Sequence, residues 1–170
     1  MLEVNTDIWG KKLWYIIHYL ANKFDNIYIE DFQLFFFSLK YLIPCPVCKT
    51  HYTDMINTDY KINFKNKDEC VTWAFNIHNV INKRIGNNIY YKEIVNNYNS
   101  DDTFYKYLFD IIQIFLNHDA NCFSKFKYLF KIVCHTNEKF NSIKDKIPHF
   151  FLKEDKIYKW INDFNRILFS

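Results

Sequence analysis

An all-α fold is predicted by three observations. The chain of 170 residues contains only two glycines and three prolines, too few tight-turn residues for a many-stranded sheet. Apolar residues recur at helical spacing in one segment after another. Hydrophobic residues make up 49% and aromatics 21%, enough for a real core and far from the apolar-poor, highly charged composition of disordered chains. The formal net charge of +3 arises from interspersed Lys and Asp/Glu, which argues against nucleic acid as a partner.

The first helix is opened by Asn5, Thr6 or Asp7 and runs to about Phe24. Leu13, Ile17, Leu20 and Phe24 form one stripe, with Trp14, His18 and Ala21 forming a second beside it. Taken alone, His18 reads as a satisfied core histidine. A second helix, near Glu30 to Leu42, turns Phe32, Phe35, Phe36 and Leu39 inward and stops before Pro44. This most apolar run is shorter than the roughly 20 residues that span a bilayer, so no membrane span is expected.

The third helix starts at Cys45-Pro46-Val47-Cys48 and fades near Asn57. Pro46 fits a first helical turn, which places Cys45 at the helix N-terminus and favours its thiolate. Cys48 then lies one turn on, and His51 one turn beyond that. A redox dithiol and half a metal site are both open readings of this segment. Asn66 or Asp68 caps a fourth helix with Val71, Trp73, Ala74, Ile77, Ile81 and Ile85 on its apolar side and Gly86 as its C-terminal stop. His78 and Asn82 share another face, with Asn79 beside them. Asn concentrated inside a helix competes for backbone partners, so a ligand contact explains it better than a solvated face.

Residues 96–102 read as a polar linker ending in a cap, giving a boundary between residues 1–97 and 98–170. Beyond it, Tyr105, Leu108, Phe109, Ile112, Phe115 and Leu116 make one amphipathic helix. Further helices are expected over Phe123 to His135 and Lys153 to Leu168. The C-terminal part is expected to pack on the first, extend a dimer interface or dock a substrate. Met1-Leu2-Glu3-Val4-Asn5 lacks a basic start and an apolar run, so no secretory signal is expected. Five cysteines without such a signal point to redox use rather than a secreted disulfide framework.

In order along the chain stand Gly10-Lys11-Lys12-Leu13-Trp14 with His18 and Ala21, then Pro44-Cys45-Pro46-Val47-Cys48 with His51, then Trp73 with His78-Asn79-Val80-Ile81-Asn82. Together these segments resemble the Erv/ALR family of FAD-dependent sulfhydryl oxidases. The resemblance covers residues 10 to about 91 and implies a four-helix bundle binding FAD, with a short fifth helix at Lys92 to Asn97. It implies Cys45 and Cys48 as the catalytic disulfide, Cys45 receiving electrons and Cys48 facing the flavin. Cofactor contacts implied by position are Gly10, Lys11, Trp14, His18, Cys48, His51, Trp73, His78, Asn79 and Asn82, with Lys83, Arg84 and Tyr90 matching less closely. The implied enzyme takes electrons from a reduced dithiol protein, for example a thioredoxin-like one, and passes them through FAD to oxygen, giving hydrogen peroxide. The family also implies a homodimer.

The chain departs from the family pattern in places. Phe75 stands at the first, and Lys92 near the second, of the positions where some members carry a structural disulfide, Asn87 replaces a lysine after the glycine, and Phe24-Asp25 replaces a tyrosine-proline pair. These departures fit a divergent member such as a viral one. That implies the cytoplasm of an infected cell or the virion, against the mitochondrial intermembrane space for a cellular enzyme. Cys122 and Cys134 are the relay candidates but read better as a structural disulfide or two buried thiols, and Cys70 as a buried free thiol. The alternative from another class is a zinc-binding helical interaction protein using Cys45, Cys48 and His51. It leaves the Trp14/His18 and His78/Asn82 segments unexplained.

Overall fold

The computed structural model describes residues 5–87, 97–119 and 125–136, together with residues 162, 163 and 166. Over residues 5–136 the described chain forms six α-helices and a short 3-10 turn at Asn26–Tyr28, and there is no strand among the described residues. Helix α1 spans Thr6–Asn22 and is capped by Asn5, whose side chain accepts from the Asp7 amide at 2.9 Å. It stops before the expected Phe24 because the Lys23 and Phe24 amides tighten onto the Leu20 and Ala21 carbonyls. Phe24 thereby turns into the core against the rings of Phe32 and Phe64. Asp25 then caps the 3-10 turn Asn26–Tyr28, which leads into α2, Ile29–Leu42.

Helix α3 covers Pro46–Asn57, with Cys45 as its N-cap and Pro46 in its first turn. Helix α4, Lys67–Arg84, begins in a reciprocal cap: Asn66 Oδ1 accepts from the Glu69 amide, and Glu69 Oε1 accepts from Asn66 Nδ2. It ends in a left-handed turn at Gly86, φ 75°, with the Gly86 amide on the Lys83 carbonyl and the Asn87 amide on the Asn82 carbonyl. Ile85, expected on the apolar face of this helix, lies just past its end and is exposed. Helix α5 spans Asp101–His118 behind the N-cap Ser100, and α6 spans Lys127–Thr136. The helix expected at Lys153 to Leu168 and the short one at Lys92 to Asn97 fall almost wholly outside the described residues.

Helix α1 packs against α4 and α5, while α2 packs against α3 and α6. One apolar cluster runs from Ile16 and Leu20 through Phe32, Phe35 and Phe36 to Phe104, Phe115, Phe130 and Ile132, so residues on both sides of position 97 share it. Burial of this aromatic volume is the main stabilising force. Polar bonds set the register at the seams. The Tyr52 hydroxyl, deep in the interior, donates to the Phe36 carbonyl at 2.7 Å and ties α3 to α2. Tyr19 donates to Asp101 at 2.7 Å, and its ring stacks on Phe104 at 4.0 Å. Lys12 pairs with Asp110, and the Tyr15 hydroxyl both donates to the Ser100 carbonyl and accepts from the Ser100 amide, fastening α5 to α1. Among the described residues no helix is long and apolar enough to cross a membrane.

Candidate active site

The chain leaves α2 at Ile43, is extended at Cys45, and Pro46 restarts the helix at once. This places Cys45 and Cys48 one turn apart, and the two are joined as a disulfide. The Cys48 amide lies 3.2 Å from Cys45 Sγ, and the Lys49 amide donates to the Cys45 carbonyl at 2.8 Å. Free amides and the helix dipole at this end favour a negative sulfur when the bond opens. Both cysteines are partly exposed, yet they face different surroundings. Cys48 lines a cavity of about 460 Å³, and Cys45 does not.

That cavity lies where α1, α4 and α5 meet the α2–α3 junction. Its volume falls within the range of small-molecule and cofactor pockets. Leu13, Ile17, Leu39, Ile43 and Tyr52 join Cys48 in lining it, while Gly10 and Lys11 on α1 and Asn82 and Asn87 near the end of α4 supply polar lining. An added Cβ at Gly10 would meet no protein atom within 4 Å, so packing within the chain does not itself demand glycine there. The rings of Trp14 and His78, both on the wall, stack at 3.9 Å with planes 8° apart.

His78 Nδ1 lies 2.8 Å from His18 Nε2, so one ring donates its proton to the other and both are neutral. Burial lowers the His18 pKa to about 4, and burial followed by the neighbouring His18 lowers His78 to about 3. In the unfolded chain each would protonate as pH falls through 6.5. The unfolded state therefore binds more protons between pH 6.5 and the depressed folded values, and stability falls with pH across that window. At pH 5, loss of the His18 contribution alone should lower unfolding free energy by about 2 kcal/mol relative to pH 7. Urea titration checks this. The dependence should be shallower in His18→Asn, and an unchanged slope would show that His18 is not the group responsible.

Two polar atoms beside the cavity are unmatched. Among the described residues, His18 Nδ1 and Asn82 Nδ2 are buried and have no hydrogen-bond partner. Such atoms cost free energy unless a ligand or water completes them. A cavity with aromatic surfaces, a disulfide sulfur and an unmet amide donor suits a large, flat, polar-edged cofactor such as a flavin.

Of the residues expected at the cofactor, Gly10, Lys11, Trp14, Cys48, His78 and Asn82 line this cavity, and His18 reaches it through His78. Trp73 is placed elsewhere: its indole N–H donates to the Tyr60 carbonyl at 2.8 Å, and its ring packs on Phe36 and Phe64 beside a second, open cleft. His51 and Asn79 are half-buried and off the cavity wall, and Lys83 and Arg84 are exposed in the last turn of α4. Tyr90 lies outside the described residues. Sequence reasoning missed Tyr15, Tyr52, Tyr98 and Tyr107 on the wall. Of these only Tyr15, next to Trp14, had a signal in its motif.

Cys70 is a fully buried free thiol whose pKa burial raises, which keeps it protonated and unreactive. Cys134 is buried on α6, and Cys122 lies outside the described residues. No three His, Cys, Asp or Glu side chains converge as a metal site among the described residues, so the zinc alternative finds no completing ligands for Cys45, Cys48 and His51 there.

Fold and site thus define a helical-bundle protein with a dithiol–disulfide couple set against a cofactor-sized cavity. The sequence model of the Erv1 / Alr family matches residues 11–110, more than half of the chain, and the chain belongs to that family. It is 31% identical over 86 residues to the probable FAD-linked sulfhydryl oxidase R368 of Acanthamoeba polyphaga mimivirus, across 46% of this chain and 59% of that protein. It is 27% identical over 85 residues to the FAD-linked sulfhydryl oxidase of two African swine fever virus isolates, Pig/Kenya/KEN-50/1950 and Tick/Malawi/Lil 20-1/1983, across 48% of this chain and 71% of theirs. The chain therefore spans under two thirds of the mimivirus relative's length. No solved structure matches it.

Proposed function

We propose that this chain is an FAD-linked sulfhydryl oxidase that forms disulfides in thiol substrates and delivers the electrons to oxygen. The observation carrying the proposal is the division of the redox disulfide, with Cys48 on the cavity wall and Cys45 off it. Membership of the Erv1 / Alr family and the names of the viral relatives agree with it.

A substrate thiolate attacks Cys45 Sγ, forming a mixed disulfide there and releasing Cys48 as a thiolate at the cavity. A second substrate thiol attacks its own sulfur in the mixed disulfide, so the substrate leaves oxidised and Cys45 departs as a thiolate favoured by the α3 N-terminus. Two electrons now reside on the Cys45/Cys48 pair. Gly10, Lys11, Trp14, His78 and Asn82 would hold the cofactor, with Asn82 Nδ2 donating to an acceptor on it and the neutral histidine pair adding no charge. FAD, once bound, supplies the two-electron acceptor for the dithiol and the centre from which oxygen is reduced to hydrogen peroxide. Reclosure of the disulfide completes the balance: two thiols and one oxygen molecule give one disulfide and one peroxide.

Purified protein should be yellow, release FAD on denaturation, and consume oxygen with a small dithiol at one peroxide per disulfide formed. A colourless, zinc-containing preparation would overturn the proposal in favour of the metal-binding alternative.

A further inference from the structure

Two aromatic side chains on the cavity wall come from beyond the first four helices: Tyr98, just before α5, and Tyr107 on α5. The core face of α5 is made by Phe104, Leu108, Ile111, Ile112 and Phe115, each at most 1% exposed. Tyr107 lies at the edge of that face, where it packs against the core but is only partly buried, as is Tyr98, so part of each side chain remains open to the cavity. Their rings are nonetheless held in place. Tyr15 of α1 meets Tyr98 edge-on at 5.4 Å and Tyr107 edge-on at 5.3 Å, while its hydroxyl is engaged twice with the Ser100 backbone. Tyr98 also lies 4.7 Å from the His18 ring, and the Lys12 ammonium lies 5.9 Å from the Tyr107 ring.

The cavity therefore has two aromatic surfaces, the Trp14–His78 stack and the Tyr15–Tyr98–Tyr107 group. A flavin adenine dinucleotide has two planar ring systems. Resting on the oxidase reading above, we infer that Tyr98 and Tyr107 form a stacking wall for a planar part of the FAD. The segment beyond residue 97 is then part of the cofactor site rather than an appendage to it. Ordered rings contribute stacking at little entropic cost, because their partners have already fixed them.

Titrating FAD into the full-length protein stripped of flavin, and following fluorescence quenching, tests this wall. Tyr98→Ala and Tyr107→Ala should each weaken binding about tenfold, the scale of one lost base–aromatic contact. Tyr107→Phe, which keeps the ring, should bind as wild type does. Tyr107→Leu, which keeps apolar packing without the ring, should weaken binding like alanine and carries the test if an alanine variant folds poorly. Asp110→Asn removes one of the α5–α1 fasteners while keeping both rings and the Tyr15–Ser100 clasp, and should weaken binding far less than loss of a ring. Unaltered affinity in the alanine and leucine variants overturns the inference, as does an equal loss in Asp110→Asn, which would reduce the tyrosines to holding α5 in place. Wild-type protein that takes up no FAD at all would instead bring down the oxidase reading, and this inference with it.

Discussion

Cys45→Ser and Cys48→Ser are each expected to abolish thiol-dependent oxygen consumption, with turnover falling by at least about 10³. The two variants should fail differently. In Cys48→Ser the outward sulfur remains, so a substrate thiol can be trapped in a stable mixed disulfide at Cys45. In Cys45→Ser the remaining sulfur lines the cavity, and trapping should be poor. An oxygen electrode and non-reducing gels with a dithiol protein substrate read both effects. Full turnover in either variant would refute the assignment, and equal trapping in both would refute the division of roles. Flavin content should persist, because neither sulfur is the main support of the pocket.

Asn82→Leu should move stability and cofactor affinity in opposite directions. Asn82 is 4% exposed, and its Nδ2 has no acceptor among the described residues. An unsatisfied buried donor costs about 1–3 kcal/mol, which a leucine of similar size removes. The flavin-free variant should therefore melt higher, by about 2–4 °C for each kcal/mol recovered. The same change withdraws the donor that FAD would satisfy, and the dissociation constant should rise about tenfold or more, as for a lost buried hydrogen bond. Differential scanning calorimetry without flavin, paired with FAD titration, measures both. A less stable variant with unaltered flavin binding would make Asn82 a structural residue instead.

Parts of the candidate cavity's lining could be read from sequence because local chemistry fixes the helices that carry them. Asn82 and His78 sit on a helix whose boundaries are marked by local chemistry, the Asn66–Glu69 cap and the Gly86 turn, so an asparagine inside it stood out. Pro46 marked the α3 start in the same way and so placed both cysteines. The end of α1 was less legible, because Phe24 leaves the helix to meet Phe32 and Phe64, contacts that local propensity does not encode. Tyr98 and Tyr107 could not be read at all. One sits among asparagines in a polar stretch and the other on an amphipathic helix, and only the docking of α5 on α1 turns them toward the cavity. Trp73 is the converse case: its place in a motif suggested a cofactor wall, but the Tyr60 carbonyl and two phenylalanines hold it elsewhere.

The Tyr15–Ser100 clasp has a kinetic meaning as well. It joins positions 85 residues apart, whereas the disulfide that α3 presents closes over a separation of 3. Contacts so distant in sequence carry the larger loop-closure cost and form slowly. During refolding the reactive sulfurs should be in place before the cavity beside them has its outer side. A newly made chain would pass through an interval in which its paired thiols are open to exchange with disulfides of other proteins but its cavity cannot yet retain a flavin, and cofactor uptake would mark the end of that interval.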